Sequence, residues 1–498
     1  MPIDEYVFLI NRLMNQQIKE VVNMNRMIMD VQDGQICIAI TKEDKLDHFF
    51  IERATGSEHY GNIYIGRVEQ IKPGIQAAFV NIGEEKNGLL HQKDIHPNDE
   101  NLPIEKCVKK GQELIVQIKK EAIGDKGPRL TTKCSLSGHF LVLLPMEKKV
   151  YISKKIKNTD EKNRLIKIAK DLKDQDYGLI VRTEAEGAEE KNIKRELDYL
   201  LSKWKKVNPI EIAPKLLLRD SSIVGRMIRD YYNEEMDEII VNGREILEEL
   251  ERYFSIYFLE SVEKIKYIEQ PYLLNYCGVE DQVNELFDRK VWLKSGGYIV
   301  IDYTEACTVI DVNTGRFTGH NNMEETFLKI NLEATEAIAN QIRLRNIGGI
   351  IIIDYINIKK MEEQKIVVDY LEKCLEKDKL KTKIYGFTEL CILQMTRKQQ
   401  GKRLNRIQTE ECKICAGTGY LPKQEVLFYK AMSIMERNKN LLKQNTLFLK
   451  VNPYLKELIV EKREKNEHNV VQMIEEYYKV KVQIEVSPFV EFGEIIIF

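Results

Sequence analysis

The chain has 498 residues, 43% of them hydrophobic and 31% charged, which is room for about three domains with cores of their own and too apolar for a disordered polymer. Lysine and arginine number 76 against 78 aspartates and glutamates, so the net charge of −2 speaks against a basic nucleic-acid coat protein and leaves any polyanion binding to a local site. No apolar run reaches the ~20 residues of a membrane span, the start MPIDEYVFLINRLM has no basic n-region or small-residue cleavage site, and nine mostly scattered cysteines suit a reducing cytosol; a cytoplasmic protein without membrane contact is expected.

In chain order, residues 1–25 read as an apolar helix, and Met27–Val31 and Gln35–Ile40 as two strands about the turn Asp33-Gly34. From Asn62 the pattern is all-β. Asn62–Ile71 alternates, Pro73-Gly74 turns, Ile75–Ile82 follows, and Glu113–Lys119 and Arg129–Lys133 continue a set of short strands spaced like a small Greek-key barrel. Phe140–Leu144 and Tyr177–Thr183 flank a lysine-rich stretch with Lys148, Lys149, Lys154, Lys155 and Lys157. A helix follows with Ile193, Leu197, Leu200, Leu201 and Trp204 on one face, then helix Ile223–Glu234 and strand Glu238–Val241.

The block Lys294–Phe387 is the most informative. Gly296-Gly297 precedes strand Tyr298–Tyr303, and Thr304–Cys307 leads into strand Thr308–Val312. A helix from about Met323 to Asn346 carries Phe327, Ile330, Ala334, Ile338 and Ile342 on one face, with Gly348 as its C-cap. The strand Gly349–Tyr355 reads as buried on both faces. The tail, 423–498, reads helix, strand, helices, then two strands, a small α/β unit.

Two acids stand out. Asp311 ends an apolar strand in TVIDVNTGRFTG, and Asp354 ends another in IIIIDYINI. Carboxylates on strand ends are held rigidly, and two that converge can bind Mg2+, which takes oxygen ligands and keeps several waters. Such an ion activates water and neutralises charge on a phosphoryl group. Asn313 would point the same way as Asp311 if the strand continues. Either aspartate alone could instead cap a loop or helix, and spacing does not name a metal. Cys412 and Cys415 form a C-x-x-C followed by Ala-Gly-Thr-Gly, a zinc-knuckle turn. Zinc wants four ligands and this chain has no second such pair, so two chains would complete one site; two thiols in a turn is the bland alternative. Tyr64, Phe79 and His91 lie among barrel strands that in such folds stack bases, although barrel aromatics are commonly core. The segment from Thr396 to Arg406 carries five basic residues and no acid and could track phosphates or form a solvated helix face. Arg182-Thr183 offers a guanidinium fork and a hydroxyl, a pairing suited to a terminal phosphate.

The stretches NIYIGRV with AAFVNIG, KGPRLTT, GLIVRTEAEGA, LKSGGYIVIDYTEA, IDVNTGRFTGH, NLEATEAIANQIRLRNIGGIIIIDYI, QMTRK and CKICAGTG together resemble the ribonuclease E/G family of bacterial endoribonucleases, from about Arg26 onward. The resemblance implies an α/β multidomain fold. Residues 1–57 would be the first part of an RNase H-like subdomain, with 1–25 unassigned. An S1 RNA-binding barrel (an OB-fold) would occupy 58–121, a 5′-end sensor 122–222, and the second RNase H-like part 223–286. A DNase I-like catalytic subdomain would follow at 287–408, a zinc link at 409–422 and a small C-terminal domain at 423–498.

It further implies a Mg2+-dependent endonuclease on single-stranded RNA, acting in rRNA processing and mRNA decay. It would leave 5′-phosphate and 3′-hydroxyl ends and prefer 5′-monophosphorylated substrates. Asp311 and Asp354 match the magnesium-binding aspartates and Asn313 the supporting asparagine. Arg182, Thr183 and the backbone of Gly127 match the 5′-monophosphate pocket, and Phe79 an RNA-contacting aromatic. Cys412 and Cys415 match a Zn2+ site shared by two protomers, hence a homodimer, with tetramers left open. Four positions depart from the pattern: Asn357 stands for a second aspartate, Leu89 for an aromatic, Lys413 for a proline and Cys391 for a glycine. A non-catalytic RNA-binding protein of the same fold and a DNA-cutting nuclease are the competing expectations.

Overall fold

The structure, a computed structural model, describes residues 24–53, 59–96, 102–122, 126–173, 176–207, 211–220, 222–315, 323–399, 401, 403–410, 412, 415, 417, 419–420, 423–437, 446–460, 469–487, 490 and 495–497. The helix expected over residues 1–25 lies outside them but for its last two positions. The chain divides into two units, residues 1–407 and 408–498.

Alternating apolar residues in RMIMDVQ and QICIAITK place Met27, Met29, Ile38 and Ile40 in one core. They form a mixed sheet in the order Ile265–Tyr267, Glu238–Val241, Arg26–Gln32, Gln35–Lys42, Lys45–Arg53. The last strand was not expected. Its sequence KLDHFFIER hides alternation behind charges, and its hairpin turns through Glu43 and Asp44, both at positive φ without a glycine to announce it. Helices Ile223–Tyr231 and Arg244–Tyr257 cover the sheet with Val224, Ile228, Leu250 and Phe254.

Five strands close a barrel: Ile63–Lys72, Ala77–Asn81, Gly88–His91, Arg129–Thr131 and Glu113–Lys120, the last pairing back to the first. Every second residue enters its core, including Val68, Val80, Leu90, Val116 and Leu130. The Arg129–Thr131 strand lies beyond the 58–121 span expected for the barrel. Beside it, the lysine-rich stretch contains the strand Val150–Ile152 and the helix Thr159–Leu172, neither of them expected. The helix is announced only by its cap, where Asn158 accepts from the backbone of Asp160 and Glu161. Helix Glu190–Trp204 packs there as expected, but it buries Glu196 completely. Burial pushes that carboxyl up to about 7 even though the backbone amides of Phe140, His139 and Leu141 donate to it.

The block singled out in the sequence folds into a six-stranded sheet. Its strands are β1 (Lys290–Trp292), β2 (Tyr298–Tyr303), β3 (Cys307–Asn313), β4 (Gly349–Asp354), β5 (Thr382–Phe387) and β6 (Ile392–Arg397). The spatial order is β1-β2-β3-β4-β6-β5, with β3 and β4 parallel. Two helices, α1 (Met323–Leu344) and α2 (Met361–Leu375), share its core, to which Ile330, Ala334, Ile338, Ile342, Val367 and Leu371 contribute. Two expectations are corrected. Strand β4 is buried on one face only: Ile351 and Ile353 are sealed, while Ile350 is 50% exposed and Asp354 is open. And α1 is ended by Asn346, not Gly348. Asn346 takes φ +49, and the Ile347 amide donates back to the Ile342 carbonyl, a Schellman closure in which asparagine replaces glycine.

The second unit pairs strand Thr446–Val451 with Lys481–Val486 in parallel and with Ile495–Ile497 in antiparallel. Helices Gln424–Arg437, Pro453–Val460 and Val470–Tyr478 accompany them, in the order the sequence pattern predicts.

Arg397, counted among basic residues that could track phosphates, is 4% exposed. Its guanidinium makes a bidentate pair with Asp378 at 2.6 and 3.1 Å and donates to the Ile347 carbonyl at 3.0 Å. It ties the α2–β5 turn to the end of α1. Asp378→Ala should therefore destabilise the protein by about 3–5 kcal/mol, because it strands a buried charge. Replacing both partners by apolar residues should recover much of that loss, as read by chemical denaturation followed by circular dichroism.

Candidate active site

The parallel register of β3 and β4 runs Cys307 with Ile350, Val309 with Ile352 and Asp311 with Asp354. Alternation sends Ile310, Val312, Ile351 and Ile353 into the core and leaves Asp311 and Asp354 on the opposite, open face. Directly paired residues on neighbouring strands have backbones about 5 Å apart, so two carboxylates are brought side by side. Burial first, and then the Asp311 charge, raises the Asp354 carboxyl above the ordinary aspartate value. Strand β3 does continue to Asn313, whose Nδ2 donates to Asp311 Oδ2 at 2.9 Å. That bond fixes one carboxylate oxygen and leaves the other to a ligand.

The loops that follow the acids are clamped by residues the sequence reading did not single out. Asn331, buried on α1, donates its Nδ2 to the Ile356 carbonyl at 2.8 Å and accepts the Ile356 amide at 3.0 Å through Oδ1. One turn on, Thr335 Oγ1 meets the Tyr355 hydroxyl at 2.9 Å, also buried. Tyr355 and Ile356 directly follow Asp354, so the helix grips the chain immediately after the acid. The signal was legible: Asn331 and Thr335 are polar residues four apart beside the apolar positions Ile330 and Ala334. On the other strand, Gly315 takes φ +61, and a Cβ there would strike the Gly296 carbonyl. The loop after Asp311 therefore needs this glycine to lie against the Gly296-Gly297 turn. The Ser295 amide of that turn is held by Glu333 of α1 at 3.1 Å. Asn357, which departs from the resembled pattern, is an exposed turn residue at φ +47, a conformation asparagine tolerates well.

The other expected site residues lie elsewhere. Arg182 follows strand Gly178–Val181; it donates to the Gly138 carbonyl at 2.7 Å and to Asp230 at 2.9 Å, and its Nε lies 3.4 Å from Glu184. Burial would raise the Asp230 carboxyl, but the Arg229 hydrogen bond and the charges of Arg229 and Arg182 outweigh it and hold it at about 2. The neighbouring Thr183 shares a hydrogen bond with Ser153 at 3.0 Å. Gly127 belongs to the barrel, packed against the Asn87 carbonyl so closely that a Cβ would collide with it. Among the described residues no hydrogen bond joins Gly127 to Arg182 or Thr183.

Phe79 projects from the barrel, paired with Leu89, which in turn pairs with Arg129. Tyr64 is corrected to a core residue, 2% exposed, its hydroxyl donating to Glu84 at 3.0 Å. In the other unit, Cys412 is exposed and Cys415 half-buried. Gly417 and Gly419 nearby both take left-handed φ, as a tight knuckle requires.

Two carboxylates and a side-chain amide on an open sheet face fit a hard divalent cation that keeps much of its water. Among the described residues no three or more His, Cys, Asp and Glu side chains cluster to hold a metal, so neither the acid pair nor the cysteine pair is a closed cage. No helix among them is long and apolar enough to cross a membrane.

Comparison with known proteins gives these acids their setting. Residues 135–400 match the Ribonuclease E/G family. The chain is 34% identical over 478 residues to ribonuclease G of Escherichia coli K12, covering 93% of this chain and 97% of that one. It is 33% identical over 480 residues to ribonuclease G of Haemophilus influenzae, with the same coverage. To ribonuclease E of Synechocystis it is 37% identical over 409 residues, 80% of this chain and 60% of that one. An acid pair on an open sheet face, a closed five-stranded barrel in the same chain and similarity along nearly the whole chain lead to one conclusion: this protein belongs to the ribonuclease E/G family and is an endoribonuclease.

Proposed function

We propose that the protein is a Mg2+-dependent, single-strand-specific endoribonuclease of rRNA processing and mRNA decay that leaves 5′-phosphate and 3′-hydroxyl ends. The observation that carries this reading is the register that sets Asp311 opposite Asp354. A bound Mg2+ would supply activation of water and charge neutralisation at the phosphate. Asp311 and Asp354 would hold it, and Asn313 fixes one oxygen of Asp311 by its hydrogen bond. The open face admits an extended strand, whereas the clamped loops keep the acids from moving apart. The barrel serves as an S1-type RNA platform through Phe79. The sheet of Arg26–Arg53 with Glu238–Val241 serves as the RNase H-like part, and the six-stranded sheet as the DNase I-like part. The setting is cytoplasmic. Asp311→Asn or Asp354→Asn should each lower cleavage of a labelled AU-rich oligonucleotide by orders of magnitude and leave its binding within about twofold. A variant that cuts at near wild-type rate under saturating Mg2+ would remove the acid pair from the chemistry.

The 5′ end is read at Arg182 and Thr183. Of the three partners that hold the guanidinium, Glu184 is the most distant, at 3.4 Å, and a terminal monophosphate replaces it most readily as a charge-assisted acceptor. Gly127 contributes from the barrel side. Wild-type protein should cut 5′-monophosphorylated RNA faster than 5′-hydroxyl RNA, and Arg182→Leu should abolish the difference while retaining internal cleavage. Equal wild-type rates on the two ends would remove the sensor from the account.

Zinc binding by Cys412 and Cys415 is closed by the same pair of a second chain, which makes the protein a homodimer. A four-thiolate site shared by two chains should give about half an equivalent of zinc per chain, and Cys415→Ser should lose the metal and shift light scattering toward monomer. A full tightly bound equivalent on a monomer would contradict the shared link.

A further inference from the structure

The open face of the six-stranded sheet does not end at the acids. Trp292 of β1 pairs with Tyr298 of β2, which pairs with Asn313 of β3. All three therefore share the face and the row next to the acids. Trp292 is 64% exposed on the edge strand of the sheet, an unusual degree of exposure for so large an apolar side chain. The Lys290 ammonium is wedged beside it, 3.7 Å from the Trp292 ring centre and 3.6 Å from that of Tyr298. The two rings meet at 5.4 Å and 62°. Two strand spacings and a two-residue rise put the Trp292 backbone about 12 Å from that of Asp311.

We infer that Trp292, with Lys290 and Tyr298, forms a nucleotide-stacking shelf that holds a base of the RNA strand a short step from the bond to be cut. The inference rests on the ribonuclease reading above and adds a base-stacking subsite to it. An aromatic face accepts any base by stacking. The ammonium held between two rings keeps a positive charge at the shelf's edge, where the phosphate of a stacked nucleotide would lie. Lys290 also stiffens the indole by packing against it, so little freedom is lost when a base arrives. The charge selects RNA as the occupant over an apolar protein surface, which would gain nothing from an ammonium buried in the contact.

The test measures affinity without Mg2+, so that binding is read apart from cleavage. A fluorescein-labelled single-stranded RNA and a series with one abasic position moved along it serve as probes. In wild-type protein one abasic position should weaken binding about tenfold. Trp292→Ala should weaken binding of the intact RNA to a similar degree and erase that abasic penalty, while Trp292→Phe retains both. Lys290→Gln should weaken binding of intact and abasic RNA alike. In Mg2+, Trp292→Ala should raise KM with kcat changed less, which separates the shelf from the acids. Unchanged affinity and an unchanged abasic profile in Trp292→Ala would overturn the inference, as would a change confined to self-association. If wild-type protein binds the RNA but does not cut it with Mg2+, the metal-dependent reading fails while the shelf still stands or falls on the abasic series.

Discussion

Two like charges are held side by side because two strands are parallel and in one register. Everything that follows Asp311 and Asp354 in the chain has to accommodate that juxtaposition. Partial burial first, and then their repulsion, raises the Asp354 carboxyl. On the proposed reading a cation would relieve that tension, and the open face leaves room for one with its water. The fold resists the other relief, which is separation. The acids sit on inner strands, β3 and β4, whose buried faces are filled with isoleucine and valine, and a one-residue slip would turn every one of them outward.

Around that register the polar groups on the buried side act as fasteners. Asn331 and Thr335 grip the chain after Asp354, Glu333 holds the turn facing Gly315, and Arg397 with Asp378 joins the sheet to the end of α1. Each is a hydrogen bond between groups that are wholly or partly buried, where leaving one partner alone is costly. They explain why so many polar residues occur on apolar helix and strand faces here. A rigid frame suits a reaction in which the protein positions charge and supplies little covalent chemistry itself.

Much of this was legible in the sequence where periodicity was clean. Four of the five barrel strands, the α1 face and the order of the second unit follow from alternation and 3.6-residue spacing, whereas Gly88–His91 is too short to show its alternation. The acids were found because each follows an apolar run, although β3 continues past Asp311 to Asn313. Where charges interrupt the alternation the pattern failed: KLDHFFIER sends Phe49 and Phe50 into two different cores behind its charged residues, and the helix Thr159–Leu172 buries Leu165, Ile168 and Ala169 among charged ones. Arg397 looked like a phosphate ligand because sequence shows charge and not burial. Trp292 escaped notice because three residues, Lys290–Trp292, are too short a strand to show which face they present. The role of Asn346 as a helix stop was masked by the glycines that follow it.

The central claim is that Asp311 and Asp354 act as one unit. It is tested most directly by a double-mutant cycle on cleavage rate with Asp311→Asn, Asp354→Asn and both together. Groups that serve a single site are strongly non-additive, so the double variant should be little slower than either single one. Losses that multiply, with the double variant slower by the product of the two single effects, would mean that the acids work independently and would contradict the account.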